Sequence, residues 1–238
     1  MSNTEPRTTT PAPNPDCPRC RGAGFIHPWD HAENKPAYST VIPCNEVGCM
    51  AGSIRGYRFA GSFLKERGMT VAQTFATWQV VTGAEEAYKA ARQFATASGD
   101  IFFLLIYGGV GNGKTHLANS VALALNEKSI DTCLYVVADL LAELRQRIKD
   151  NTIEERVKWL KELPALILDD FKPEYQSEWA SSRVEEIISY RYRTLLLTMM
   201  TTNRNLNELP ERISSRFLDK DLGRVILNTG PDYRRLKP

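Results

Sequence analysis

The chain has 238 residues, of which 42% are hydrophobic, and its formal net charge is +2. That size suffices for one large core and a small additional module. The near-neutral charge argues neither for nor against nucleic-acid binding, so any such binding needs a local patch. No apolar run approaches the roughly 20 residues that span a bilayer. Because the polar N-terminus does not resemble a signal peptide, we predict a cytoplasmic protein without membrane contact.

The N-terminal part of the chain divides into three stretches. Residues 1–16 are rich in Pro and Thr and are predicted to form a disordered tail. Residues 17–59 are rich in Gly, Pro and Cys but poor in large aliphatic side chains, so they need a cross-link such as a bound metal or a disulfide to fold. Residues 60–73 are predicted to be a linker with a short helix that ends at Gly68. The main domain is placed at residues 74–238.

Strands and helices alternate through this main domain. Apolar runs predict buried strands at 101–107, 132–137, 165–168, 195–202 and 225–227. Helical spacing of apolar or small side chains predicts helices at 84–97, 114–126, 140–148, 153–163, 177–193 and 210–218. The alternation predicts an α/β fold with a five-stranded, doubly wound parallel sheet flanked by helices.

A glycine-rich loop joins the first of these strands to a helix. It consists of Gly108, Gly109, Val110, Gly111, Asn112, Gly113, Lys114 and Thr115. The loop fits G-x-x-x-x-G-K-[ST] in the strand-to-helix context that this phosphate-binding motif requires. Its backbone N–H groups and Lys114 would hold phosphates, and the Thr115 hydroxyl would ligate Mg²⁺. The sequence therefore predicts an ATP/ADP site, and we include His116, the next helix residue, among the binding candidates.

Polar side chains follow two further predicted strands. Asp169 and Asp170 come directly after an apolar run. We expect Asp169 to hold Mg²⁺ and Asp170 to orient or deprotonate the attacking water. The alternative is that the two acids cap the next helix. Asn203 ends the fourth strand and would bond the attacking water or the γ-phosphate, or else cap a turn at 206–209.

Two arginine-bearing segments lie near the C-terminus. Arg212 and Arg216 are four residues apart, on one face of a short predicted helix. Arginine suits the charge of a phosphate in transfer because it is always ionised and forked. Arg234 belongs to a second basic cluster, D-Y-R-R. Surface salt bridges remain the alternative for Arg216 and Arg234.

Four of the five cysteines form two pairs within residues 17–59: Cys17, Cys20, Cys44 and Cys49. In a reducing compartment such spacing favours a metal over disulfides. Two turns that each supply two thiolates complete a tetrahedral Zn²⁺ shell, so we predict one structural zinc. Replacement of a thiolate by His27 or His31, disulfides and free thiols remain alternatives. Cys133 lies within a predicted strand and is expected in the core.

In this order, the motifs make the segment from about residue 74 onward resemble the AAA+ ATPases, and within them the DnaC/DnaI-type replicative helicase loaders and their phage relatives. The resemblance is carried by Y-G-G-V-G-N-G-K-T-H-L-A at 107–118, L-I-L-D-D at 166–170, E-R-I-S-S-R at 211–216 and D-Y-R at 232–234. C-P-R-C-R-G-A-G at 17–24 is similar to the zinc module that precedes the ATPase core in such loaders.

The resemblance implies roles for single residues. Asp169 and Asp170 become the Walker B acids, and Asn203 becomes sensor I. Arg216 becomes the arginine finger that acts on a neighbouring subunit, and Arg234 the sensor II arginine. Two departures are visible: the acid pair is Asp-Asp rather than the Asp-Glu of many AAA+ proteins, and no separate helical lid follows Arg234.

The same resemblance implies a DNA contact. Family members insert helices that face single-stranded DNA between the second and third strands, which corresponds here to residues 138–163. The available basic side chains are Arg145, Arg147, Lys149, Arg156 and Lys158. The alternative is an ordinary solvated helix face, because acids in the same segment partly cancel the charge.

The expected function is an ATP-switched helicase loader that binds a DnaB-type hexamer and single-stranded DNA, and assembles into a ring or spiral on the helicase. An IstB-like transposition helper, which would bind double-stranded DNA and a transposase, is the second candidate. A small-molecule kinase and a zinc-dependent adaptor with a purely structural ATP site represent other classes. The zinc module favours the loader, and the basic helix of Arg212 and Arg216 disfavours the kinase.

Overall fold

The computed structural model describes residues 67–79, 81–173 and 177–233, and four short strands earlier in the chain. The chain divides into two compact units, Met1–Glu66 and Arg67–Pro238. Several predictions fall outside the described residues: the tail at 1–16, the helix before residue 67, Arg234, and the metal candidates Cys17, Cys20, His27, His31, Cys44 and Cys49.

Within the first unit the described strands form two antiparallel pairs. β1 (Phe25–Ile26) pairs with β4 (Ile42–Pro43), and β2 (Trp29–Asp30) pairs with β3 (Lys35–Pro36). Phe25 lies opposite Pro43 in the first pair.

The second unit alternates strands and helices. The strands are β5 (Phe103–Gly108), β6 (Thr132–Val136), β7 (Ala165–Asp169), β8 (Leu197–Thr202) and β9 (Gly223–Asn228). The helices are α1 (Glu85–Phe94), α2 (Lys114–Glu127), α3 (Val137–Lys149), α4 (Ile153–Glu162), α5 (Glu178–Arg193) and α6 (Glu211–Phe217). A single 3-10 turn, Leu206–Glu208, lies before α6.

All five strands of this unit are parallel, in the order β6-β7-β8-β5-β9. The predicted strands and helices between residues 84 and 228 are confirmed, with shifted ends. α1 ends at Phe94 rather than residue 97, because Ala97 and Gly99 adopt left-handed backbone conformations with φ of 55° and 87°. α3 begins at Val137, directly after β6, where the sequence predicted that the strand continues.

The sheet is covered on both faces, as its continuous apolar runs predict. One face carries Phe103, Leu105 and Leu168 into a cluster with the buried side chains of α3, α4, α5 and α6. The alternate residues, such as Leu104 and Ile106, are also fully buried, and α1 and α2 pack against the sheet. Cys133 is buried in this core, as predicted.

A buried arginine, whose role the sequence did not predict, links α5 to the end of α4 and to β8 through hydrogen bonds. Arg191 on α5 is 0% exposed, and burial lowers its pKa to about 9. Its guanidinium donates to the backbone oxygens of Leu160, in the last turn of α4, at 2.9 Å and of Leu163, directly after α4, at 2.6 Å. It also donates to Leu197 O at the start of β8, at 2.7 Å. These bonds satisfy carbonyls that would otherwise be buried without donors. Across the described residues, no helix is long and apolar enough to cross a membrane.

Candidate nucleotide-binding site

The carboxyl ends of β5, β7 and β8 meet at one edge of the sheet. The glycine-rich loop follows β5, Asp169 ends β7, and Asn203 comes directly after β8. In open α/β sheets ligands bind in the crevice outside these strand ends. Here the crevice is a cleft of ≈ 800 Å³ lined by side chains from all three strand ends and from residues 72–81.

The loop after β5 has a shape that only glycine permits at two points. Gly108 and Gly113 have φ of 135° and 89°. A Cβ on Gly113 would lie 2.6 Å from the ring of Trp78, and one on Gly108 would lie 2.2 Å from Asn228 O. Both the backbone conformation and the close approach therefore require a residue without a side chain.

A reciprocal pair of amides anchors this loop to β9. Asn112 Nδ2 donates to Asn228 O at 2.8 Å, and Asn228 Nδ2 donates to Asn112 O at 2.9 Å. Both residues are 1% exposed. The Asn112 side chain therefore positions the loop, and it leaves the loop's backbone as the part that can approach a ligand.

Lys114 begins α2 and is nearly buried, with 6% of its surface exposed. Its Nζ donates to Gly108 O at 2.9 Å, to Gly109 O at 2.5 Å and to Asn112 Oδ1 at 3.0 Å. Burial lowers the pKa of Lys114 to about 8, although the charges of Asp169 and Asp170 act in the opposite direction. A buried cation inside a loop of this shape is suited to bind anionic phosphate oxygens.

Thr115 and Asp169 bring two hard oxygen atoms into contact at the end of β7. Asp169 is 2% exposed and accepts a 2.5 Å bond from Thr201 Oγ1. Burial raises the pKa of Asp169, while hydrogen bonds from Thr201 and Thr115 act to lower it. A hydroxyl and a carboxylate in contact fit Mg²⁺, which takes one or two protein oxygens and completes its shell with phosphates and water. In residues 67–79, 81–173 and 177–233 no cluster of three or more His, Cys, Asp or Glu side chains could hold a metal.

Asp170 joins the ends of β7 and β8. Its φ is 55°, and its N–H donates to Thr201 Oγ1 at 3.0 Å. Its Oδ1 accepts from Asn203 Nδ2 at 3.1 Å, and its Oδ2 accepts from Lys172 Nζ at 2.7 Å. The structure thus brings together Asp170 and Asn203, which the sequence predicted at the same edge.

Both capping alternatives are wrong. α5 is capped by Ser177, whose Oγ accepts from Ala180 N at 3.4 Å, and not by the two acids. The 3-10 turn at 206–208 is preceded by Asn205, while the Asn203 side chain bonds Asp170.

Trp78 adds an aromatic side chain to the cleft, and its segment, residues 70–79, is bonded to α2. Asn119 on α2 donates through Nδ2 to Thr70 O at 2.7 Å and to Gln73 O at 2.6 Å, so it ties residues 70–79 to the helix. His116 Nε2 lies 2.8 Å from Thr74 O, and its ring meets that of Trp78 edge-on at 5.2 Å. His116 therefore orders the segment beside the loop.

Several site residues escaped the sequence analysis. Trp78 lies in a stretch without recognisable pattern, and Asn119 lies within an ordinary helix. Thr201 was seen only as part of a strand end. Only its position two residues after the acid pair could have marked Lys172 as a site residue.

Arg216 lies apart from the cleft. With Arg212 it lines a separate surface cavity of ≈ 350 Å³ between α5 and α6. Its guanidinium donates to Arg212 O and lies 5.8 Å from the centre of the Tyr192 ring. Its Nε is buried and has no hydrogen-bond partner within the described part of the chain. The two arginines share one helix face, as predicted, and Arg212 is 3.8 Å from Glu185.

The basic side chains of α3 and α4 have three kinds of surroundings. Arg147 and Arg156 pair with Glu143 at 2.8 and 2.9 Å. Arg145 lies 5.7 Å from the ring centre of Trp179. The last members, Lys149 and Lys158, are exposed.

This topology, with a glycine-rich loop after β5, an amide after its neighbour β8 and an acid at the end of β7 on the other side of β8, defines an AAA+ P-loop NTPase. Residues 69–222 match the family described as the bacterial DnaA ATPase domain. The chain belongs to this family.

Individual relatives agree with that assignment. The chain is 31% identical to the replicative helicase loader DnaI of Bacillus subtilis (strain 168) over 107 residues, which are 44% of this chain and 34% of that protein. AMPPCP-bound DnaA from Aquifex aeolicus has a similar structure, with a TM-score of 0.61 and 21% identity over 67% of this chain and 51% of that one. A crystal structure of the DnaC helicase loader has a TM-score of 0.59 and 23% identity over 67% of this chain and 98% of that one. The chain thus spans about a third of the DnaI relative's length.

Nucleotide binding should depend on the buried ammonium of Lys114. Lys114→Ala should weaken MgATP binding, measured by titration calorimetry, by at least about 100-fold, because two or more charge-assisted bonds of ~1.5 kcal/mol each are lost. Lys89→Ala is the control, since Lys89 is exposed on α1 and pairs only locally with Glu86. Equal affinities in wild type and Lys114→Ala would refute this role.

Proposed function

We propose that the protein is an ATP-dependent replicative helicase loader that binds a DnaB-type helicase and single-stranded DNA and is switched by ATP binding and hydrolysis. The ATPase part rests on one observation, the convergence of the glycine-rich loop, Asp169 and Asp170 on one cleft. The loader part is supported by similarity to DnaI and DnaC. A loader of this kind acts in the cytoplasm.

The phosphates would lie along the loop and the N-terminus of α2. The loop's N–H groups and Lys114 bind the phosphate oxygens, and the helix N-terminus adds partial positive charge. Thr115 and Asp169 hold Mg²⁺, which offsets the charge of the β- and γ-phosphates when it is bound. ADP, which lacks the terminal phosphate, would occupy the same loop.

Asp170 would act on the water that attacks the γ-phosphate. Its carboxylate stands next to the buried Asp169 and at the end of β8, where Asn203 contacts it. We assign Asp170 the orientation or deprotonation of that water and Asn203 a bond to the water or to the γ-phosphate. The hydrogen bond from Asp170 N to Thr201 fixes the backbone from which the carboxylate projects.

Arg216 would complete the site of a neighbouring subunit in a ring or spiral. It does not line its own cleft and projects between α5 and α6, with one nitrogen left without a partner among the described residues. A side chain that reaches across an interface contributes only in the assembled state. Arg234, at the C-terminal end, is proposed as the sensor II arginine on the resemblance alone.

Complementation between variants tests the assignment of Arg216. Arg216→Ala should still bind ATP but lose at least about 100-fold of the assembled ATPase activity, since such fingers contribute 10³–10⁵ in some NTPases. Mixing Arg216→Ala with Lys114→Ala should restore activity, because each variant supplies what the other lacks. Arg193→Ala, at an exposed position on α5, is the control. Mixed assemblies without activity above that of the separate variants would show that Arg216 does not act in trans.

Single-stranded DNA would bind the face of α3 and α4 that carries Arg145, Lys149 and Lys158. Arg147 and Arg156 are less available because Glu143 pairs with both. Binding through lysine and arginine should weaken with salt.

Capture of the helicase tests the loader function directly. The replicative helicase from the same genome should be retained on the immobilised chain in the presence of MgAMPPCP. Lys114→Ala should remove the dependence on nucleotide, and fluorescence anisotropy should show tighter binding of single- than of double-stranded DNA. Retention of a transposase and a preference for double-stranded DNA would support the IstB-like alternative instead. Phosphate transfer to a small molecule would support the kinase.

A structural zinc in residues 17–59 is proposed from the cysteine spacing. The four cysteines form two closely spaced pairs, and two turns that each supply two thiolates would complete a tetrahedral Zn²⁺ shell.

Elemental analysis of the purified protein should find about one zinc per chain, as four thiolates form one tetrahedral site. Joint substitution Cys17→Ser and Cys44→Ser should remove it, whereas Cys133→Ser, in the ATPase core, should not. Because metal binding stabilises such modules, chelation should unfold the first unit and preserve ATP binding. A zinc-free wild-type protein would exclude the module.

A further inference from the structure

A second lysine of the cleft has no role in the account above. Lys172 lies on the connection between β7 and α5, two residues after Asp170, and lines the same cleft as Lys114. Its Nζ is 2.7 Å from Asp170 Oδ2. The two side chains are 26% and 35% exposed, so both are reachable by solvent and neither is locked in the core.

This ion pair occupies the carboxylate that hydrolysis requires. Asp170 Oδ2 is engaged by Lys172, and Oδ1 accepts from Asn203 Nδ2 at 3.1 Å. Each carboxylate oxygen therefore already accepts one bond and keeps a further lone pair. The ammonium forms a strong, charge-assisted bond and draws charge from the carboxylate, so a water that needs Asp170 meets a weaker acceptor while Lys172 is bound there.

The terminal phosphate of ATP is a better partner for this ammonium than one carboxylate. It offers three oxygens and more negative charge, and Lys114 and the loop would fix it at the same end of the cleft. A lysine is a flexible point charge with three donors, so its Nζ can move without any change in the backbone. ADP offers no such group beyond the β-phosphate.

We propose that Lys172 recognises the γ-phosphate: on ATP binding its Nζ leaves Asp170 for a terminal phosphate oxygen, and a water takes its place on Asp170. The inference rests on the proposed nucleotide site and deepens it. The exchange makes Asp170 a stronger acceptor for water when a γ-phosphate is present, and it lets the site distinguish ATP from ADP.

The ratio of the affinities for MgAMPPCP and MgADP measures this exchange. Titration calorimetry with MgAMPPCP and MgADP should show that Lys172→Gln binds the triphosphate analogue about 10-fold more weakly, the equivalent of one charge-assisted bond of ~1.5 kcal/mol. Its MgADP affinity should stay within about twofold of wild type. Lys172→Arg should retain most of the preference, and Lys89→Gln, remote on the exposed face of α1, should retain all of it.

A double-mutant cycle tests the competition with Asp170. Asp170→Asn removes the charge that holds Lys172 in the nucleotide-free protein, so MgAMPPCP should bind more tightly. Part of that gain reflects the general loss of negative charge near the phosphates. Asp170→Asn should increase the MgAMPPCP affinity more in the wild-type background than in the Lys172→Gln background. The ratio of these two increases is the part due to Lys172, and it should be at least about threefold.

Each outcome bears on the inference. Thermal unfolding of Lys172→Gln that matches wild type excludes a folding defect as the cause of lost affinity. Equal weakening for both nucleotides, or none for either, overturns the inference while the nucleotide site stands. Faster hydrolysis in Lys172→Gln with an unchanged preference also overturns it, because Lys172 would then only obstruct Asp170. If wild type binds neither nucleotide, the proposed function fails and the inference fails with it.

Discussion

The parallel register of β5, β8 and β7 is the constraint on which the site depends. Tyr107 pairs with Thr202, and Leu168 pairs with Met200. The next residues along these strands are Gly108, Asn203 and Asp169, so the register alone brings the loop, the amide and the first acid to one edge. A slip of one residue would turn Asp169 toward the opposite face and break its bond with Thr201.

The Thr201 hydroxyl holds both acids in place at this edge of the sheet. It donates to Asp169 Oδ1 and accepts from Asp170 N, and thus fixes the last residue of β7 and the residue after it with one oxygen. Asp169 stays inside the sheet edge, while Asp170 takes a left-handed backbone conformation and projects into the cleft. Neighbouring carboxylates therefore enter different environments, one buried at 2% exposure and one partly open to solvent. That difference suits a metal ligand beside a group that acts on water.

The sequence predicted the parts of the site that repeat a local chemical pattern. The loop at 108–115, the acids after β7 and Asn203 after β8 are each contiguous with a strand, and topology then brings them together. Contacts between distant segments were not predictable, because they depend on tertiary packing. Asn112 meets Asn228 and Asn119 meets Thr70 across long separations, and nothing in the local sequence marks either pair. Arg191 was missed for the same reason, since a basic residue near a helix end usually faces solvent.

Each of the two lysines of the cleft already has acceptors within the protein. A phosphate that enters the cleft would therefore exchange with these acceptors. Lys114 is held by carbonyls and an amide oxygen, and Lys172 by a carboxylate. Neither cation is buried without acceptors, so the nucleotide-free site avoids the large cost of unpaired charge. In the proposed exchange an entering phosphate replaces these acceptors, so the net gain is the difference between two sets of bonds. A ligand shifts such an equilibrium only by the difference between its interactions in the two states, so a γ-phosphate that reaches Lys172 would shift it more than a β-phosphate alone.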